Sequence, residues 1–247
     1  MLGQSICPIL ALDFDGVVCD SIAECMLTSY GAYRGLHRAG LPPEVSLEWG
    51  RLFRERRGVV RPSGHYLLLW DWISQFPERP LSATQFEDLS KGQSERVAEF
   101  ESRFHELRDR TIDDDPDSFV VMNPLYPGVA ESWTELRRSP LYIVSTKDEP
   151  SIRLILSRSG LDVDGIFGRG AGPKPESLLR IAAAHRSPPD RVIFVDDNAL
   201  HVADAASVGV TAVLANWGYG PREPAVEHAL DCFAEIAPFV CRLGPLR

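Results

Sequence analysis

The chain has 247 residues, 44% of them hydrophobic, enough for one large domain or for a core carrying an inserted module. Its 26 Lys and Arg stand against 35 Asp and Glu, a net charge of −9. No stretch interleaves basic and aromatic residues, so a nucleic-acid partner is not expected. The five cysteines, Cys7, Cys19, Cys25, Cys232 and Cys241, are odd in number and lack the close pairing of a zinc or redox site. A reducing, cytoplasmic setting fits that usage.

The apolar run Pro8 to Leu12 reads as a first strand rather than a leader, because no basic segment precedes it and Asp13 and Asp15 interrupt it. No later segment reads as membrane-spanning. Two carboxylates are delivered together where this strand ends, and Gly16 lets the chain turn away. In an open α/β sheet, ligands bind just beyond the carboxyl ends of the strands.

From Ser21 to about Asn123 the pattern is helical. Ser21-Ile22-Ala23-Glu24 predicts a capping box, as does Ser82-Ala83-Thr84-Gln85 ahead of a long polar helical stretch reaching Arg110. Pro42-Pro43, the segment Arg61-Pro62-Ser63-Gly64, and Pro77 with Pro80 predict breaks. The acidic run Asp113 to Asp117 predicts a solvated loop. Beyond Tyr126-Pro127-Gly128, apolar runs alternate with amphipathic stretches, as a parallel sheet requires. Leu141 to Val144, Arg191 to Val195 and Thr211 to Leu214 are the predicted strands. Helices are predicted around Ser151 to Arg158, Glu176 to His185 and Ala199 to Val208, with Gly160 and Gly209 just past two of their ends. The expected architecture is a doubly wound, Rossmann-like α/β core of residues 1–19 and 124–247, interrupted by a helical cap of residues 20–123.

Each predicted core strand ends in polar residues: Asp13 and Asp15, then Ser145-Thr146-Lys147, then Asp196-Asp197-Asn198. Lys174 stands between two prolines at a helix start. Singly, these have plain structural explanations: a strand-end hydrogen bonder, a solvated lysine, a helix N-cap. Together they supply what attack on a phosphorus centre needs. A carboxylate can act as nucleophile and a second can handle protons. A hydroxyl, backbone amides and an ammonium can hold the phosphoryl oxygens, and further carboxylates can hold Mg²⁺.

The four motifs resemble those of the haloacid dehalogenase-like hydrolase superfamily, in the helical-cap branch of phosphoglycolate phosphatase-like and β-phosphoglucomutase-like enzymes. Asp13 and Asp15 match its first motif, Ser145 the second, Lys174-Pro175-Glu176 the third and Asp196-Asp197 the fourth. The resemblance implies Asp13 as nucleophile and metal ligand, and Asp15 as acid/base giving its backbone carbonyl to Mg²⁺. It implies Ser145 and Lys174 as phosphoryl binders and Asp196 and Asp197 as the rest of the metal site. Gly16 and Thr146 are expected to border the bound phosphoryl group. Many relatives carry another Asp four residues past the last motif Asp, where this chain has His201.

The expected activity is Mg²⁺-dependent hydrolysis of a small soluble phosphomonoester through an aspartyl-phosphate. A phosphomutase, or a catalytically silent binding protein of the same fold, is the alternative. Arg61 and His65 are the expected substrate-selecting residues of the cap, since arginine suits carboxylate or phosphate. A small phosphorylated metabolite is the expected partner; monomer and homodimer stay open.

Overall fold

The first strand, β1 (Ile9–Leu12), is apolar and buried along its whole length, as befits a strand covered on both faces. In this computed structural model, residues 8–36, 47–220 and 226–243 are described. The predicted break at Pro42-Pro43 lies outside them. The chain divides into two compact units, one formed by the chain through Asp20 with the chain from Pro124 onward, the other spanning Ser21–Asn123.

In the first unit, β1 is followed by α7 (Val129–Leu136), β2 (Leu141–Val144), α8 (Glu149–Arg158), β3 (Gly165–Phe167), α9 (Lys174–Ala184), β4 (Val192–Asp196), α10 (Ala199–Ser207), β5 (Thr211–Ala215), β6 (Ala229–Leu230) and α11 (Ile236–Leu243). Six strands form one sheet in the order β3-β2-β1-β4-β5-β6, every neighbouring pair parallel. This doubly wound arrangement is the architecture expected from the sequence. On one face Leu178 and Ile181 of α9 and Val202 and Ala205 of α10 pack with Ile9, Ala11, Val192 and Phe194.

Two strands went unanticipated, β3 and β6. Each is only two or three residues long and neither forms a buried apolar run, so neither carries a periodic signal. Helix α8 begins at Glu149, because the Asp148 carboxylate accepts the Ser151 amide as an N-cap.

The second unit is helical: α1 (Ile22–Arg34), α2 (Leu47–Arg56), α3 (Tyr66–Gln75), α4 (Ala83–Ser90), α5 (Ser94–Asp114) and α6 (Pro116–Val121). Its core is aromatic. Trp70 is fully buried, its ring centroid 5.1 Å from those of Phe53 and Tyr30.

The capping box at Ser82 forms as expected, but the one at Ser21 does not. Glu24 turns instead into the unit, where Arg108 of α5 binds both its oxygens at 2.9 Å. A buried guanidinium outcompetes a backbone amide for a carboxylate. The acidic run is likewise not a loop: Asp113 and Asp114 close α5, and Asp115 caps α6 by accepting the Ser118 amide. Among the described residues, no helix is long and apolar enough to cross a membrane.

Candidate active site

Strand register assembles the site. Leu12 of β1 lies opposite Ile143 of β2 and Val195 of β4, so the three strands run out at the same edge of the sheet. Asp13 and Ser145 come directly after β1 and β2, and Asp196 is the last residue of β4. The Asp13 amide still donates to the Val195 carbonyl, at 2.8 Å, which extends the ladder to the first carboxylate.

Lys174 opens α9 and reaches into this edge. Its ammonium lies 3.1 Å from Asp13 Oδ2 and 2.6 Å from Asp196 Oδ2, with all three side chains buried. Burial works against the charge of Lys174, yet Asp13 and Asp196 outweigh it and hold the group above its ordinary range. Asp196 is the converse: burial pushes its carboxyl up, and Lys174, then His201, bring it well below the usual carboxylate range. For Asp13 burial prevails over the pull of Lys174, and its carboxyl is raised. Folding therefore keeps Asp13 partly desolvated beside a cation, which suits a nucleophile. The Ser145 hydroxyl lies near enough to favour its charged form.

The two acids of the fourth motif separate in role. Asp196 Oδ1 accepts the Asn198 amide at 2.8 Å and its Oδ2 faces Lys174, so both oxygens have protein partners. Asp197 points to the turn after β1, and its Oδ2 accepts the Tyr219 amide at 2.7 Å. The fit there is close. A Cβ on Gly16, whose φ is +89°, would come within 2.5 Å of Asp197 Oδ2, and one on Gly218 within 2.2 Å of Asp197 Cβ. Only glycine allows this approach of two backbones to a carboxylate.

A divalent cation fits these residues on one observation: Asp13 Oδ1 is buried and has no hydrogen-bond partner. An anionic oxygen in that state is costly unless a cation or donor meets it. Asp13, Asp196 and His201 each offer a ligand atom within 4.8 Å of the others. The His201 Nδ1 lies 3.2 Å from Asp196 Oδ2.

Asp15, in the turn after β1, is only partly buried, and Thr146 is exposed at the end of β2. Arg61 and His65 belong to the second unit, both half-buried. The His65 ring packs edge-on against Phe86 at 5.3 Å, and burial lowers its tendency to take a proton.

One residue escaped the sequence reading. Lys147, two past Ser145, has a fully buried side chain whose ammonium lies 3.1 and 3.4 Å from the two oxygens of Asp15. The only signal was a lysine within the polar cluster at a strand end, and nothing in the spacing named its partner.

The sequence profile of haloacid dehalogenase-like hydrolases matches residues 8–209. The chain belongs to that family. Among curated relatives, tyrosine-protein kinase PtkA of Mycobacterium tuberculosis is 32% identical over 108 residues, 40% of this chain and 37% of that protein. A phosphoglycolate phosphatase of Synechococcus elongatus is 30% identical over 116 residues, 45% of this chain and 55% of that one. The chain thus spans about half the length, or less, of the curated relatives it matches. Among solved structures, a predicted phosphoglycolate phosphatase of Haemophilus somnus superposes with a TM-score of 0.65 at 18% identity, covering 94% of this chain and 97% of its own. A haloacid dehalogenase-like hydrolase of Bacteroides fragilis, described as putative in its own name, gives 0.64 at 16%, covering 93% and 99%. At such identities the likeness is one of fold. The family profile makes the chain a haloacid dehalogenase-like hydrolase.

Proposed function

We propose that the chain hydrolyses a small soluble phosphomonoester, with Asp13 as nucleophile and an aspartyl-phosphate as intermediate. The observation that carries this reading is the Asp13 carboxylate itself, buried with one oxygen on Lys174 and the other without a hydrogen-bond donor. Phosphoryl transfer is also common to the names of the two relatives, a kinase and a phosphatase.

In the first half of the reaction Asp13 attacks phosphorus, the ester oxygen departs, and Asp15 gives that oxygen a proton. The Ser145 hydroxyl and the Lys174 ammonium hold the phosphoryl oxygens, and Lys174 offsets charge that grows on them. In the second half Asp15 takes a proton from water as the water attacks phosphorus. Asp13 then leaves as a carboxylate with inorganic phosphate. Mg²⁺ would be held by Asp13, the Asp15 carbonyl and Asp197, with Asp196 completing the site directly or through water, and would supply the neutralisation that lets one anion approach another. Asp196 also holds Lys174.

Release of p-nitrophenol from p-nitrophenyl phosphate tests the reading. Activity should require Mg²⁺, vanish in excess EDTA and return on adding Mg²⁺, while Asp13→Asn stays folded and inactive. Full activity in excess EDTA, or an active Asp13→Asn, would contradict it.

A further inference from the structure

The motif set gives Lys147 no task, yet it is the only described lysine whose ammonium is seen on the acid/base carboxylate. Its side chain is fully shielded from solvent, and that of Asp15 is 14% exposed. The backbone of Lys147 is fixed from two sides: its amide donates to the Ser145 hydroxyl at 3.3 Å, and its carbonyl accepts the Arg169 amide at 2.9 Å. On the other side of Asp15, the Cys19 thiol approaches Oδ1 at 3.6 Å. Asp15 sits in a short turn and no other described hydrogen bond is seen on its carboxylate. A two-point contact from a buried ammonium restricts both side-chain torsions of an aspartate.

We propose that Lys147 is a positioning residue: it holds the Asp15 carboxyl group at the orientation from which its proton reaches the departing oxygen. The inference rests on the reading of Asp15 as the acid given above. Proton transfer demands a donor within hydrogen-bond reach, and small misplacements of a catalytic group are expensive in rate. The step in question breaks the bond between phosphorus and the ester oxygen, forms the bond from Asp13 to phosphorus, and moves one proton from Asp15 to the alcohol. Lys147 neither gains nor loses a bond in it.

The test exploits leaving groups. A p-nitrophenolate departs without a proton, whereas an alkoxide does not. With enzyme in excess and Mg²⁺ present, a single turnover reports release of the first product alone. Lys147→Met, which keeps the length of the side chain, should slow release of the alcohol from a simple alkyl phosphate by about tenfold or more, a share of the hundredfold to ten-thousandfold that a general acid provides. Release of p-nitrophenol should change far less. The ratio of the two rates is taken on one preparation, so any misfolded fraction cancels. Should Lys147→Met fail to fold, Lys147→Gln, which keeps a polar head, should show the same bias, and Lys147→Arg should restore part of the alkyl rate.

Equal losses on both esters, or none, in the presence of a biased Asp15→Asn would overturn the role given to Lys147 and leave Asp15 as the acid. Equal losses in Asp15→Asn itself would overturn the acid assignment, and the present inference with it.

Discussion

Replacing Lys174 by Met should unbalance the site more than any other single change. The ammonium stands 3.1 Å from Asp13 and 2.6 Å from Asp196, and without it two buried carboxylates share only the His201 ring, 3.2 Å from Asp196. Met preserves most of the stem, so packing loss is small. Removing one partner of a buried pair costs about 3–5 kcal/mol. For a chain of this size that lowers Tm by roughly 6–20 °C. The measurement is thermal unfolding in EDTA, which holds ligand linkage constant, at neutral and acidic pH. In the native site Asp196 lies below its ordinary value, so its contribution is present above the unfolded value of about 3.9 and fades as pH falls past it. In Lys174→Met both carboxyls lose their cation and burial raises them, so they oppose folding at neutral pH and are relieved on protonation. The deficit should therefore shrink from pH 7 toward pH 5. Adding Asp196→Asn should recover much of the stability and none of the activity. A Tm at pH 7 close to that of the native chain, or a deficit independent of pH, would refute the reasoning.

Asp15→Asn should slow turnover of an alkyl phosphate by about a hundredfold to ten-thousandfold, read as kcat in a phosphate-release assay. Gly218→Ala forces its new methyl group against Asp197, 2.2 Å away in the native backbone, so kcat should fall by about a hundredfold with the fold retained and the Mg²⁺ requirement raised. Arg108→Met leaves Glu24 buried without its guanidinium, beside the Thr28 hydroxyl and the Cys25 thiol, which should cost about 3–5 kcal/mol and appear as lost amide-exchange protection in α1 and α5 with the first unit unaffected.

The sheet and its site residues were legible because a strand covered on both faces reads as an unbroken apolar run, and because the polar residues follow each run directly. Asp13, Ser145 and Asp196 meet for no other reason than register. What stayed hidden were long-range pairings. The Glu24 carboxylate looked like half of a capping box until Arg108, 84 residues away, claimed it. Lys147 on Asp15 spans 132 residues, and Asp197 takes an amide from Tyr219, 22 residues on. Local chemistry names the donors and acceptors, and only the folded chain decides which of them meet. The division of labour between Asp196 and Asp197 is of this kind: adjacent in sequence, the first turns to Lys174 and the second to the turn after β1.

The most direct measurement of the central claim is to quench the Mg²⁺-loaded protein with acid during turnover of p-nitrophenyl phosphate and locate any covalent phosphoryl group by peptide mass mapping. The account predicts one phosphoryl group on Asp13, stable in acid, released by hydroxylamine, and formed and lost at rates no slower than kcat. Steady turnover with no label on Asp13, or a label on another residue that keeps pace with turnover, would contradict it.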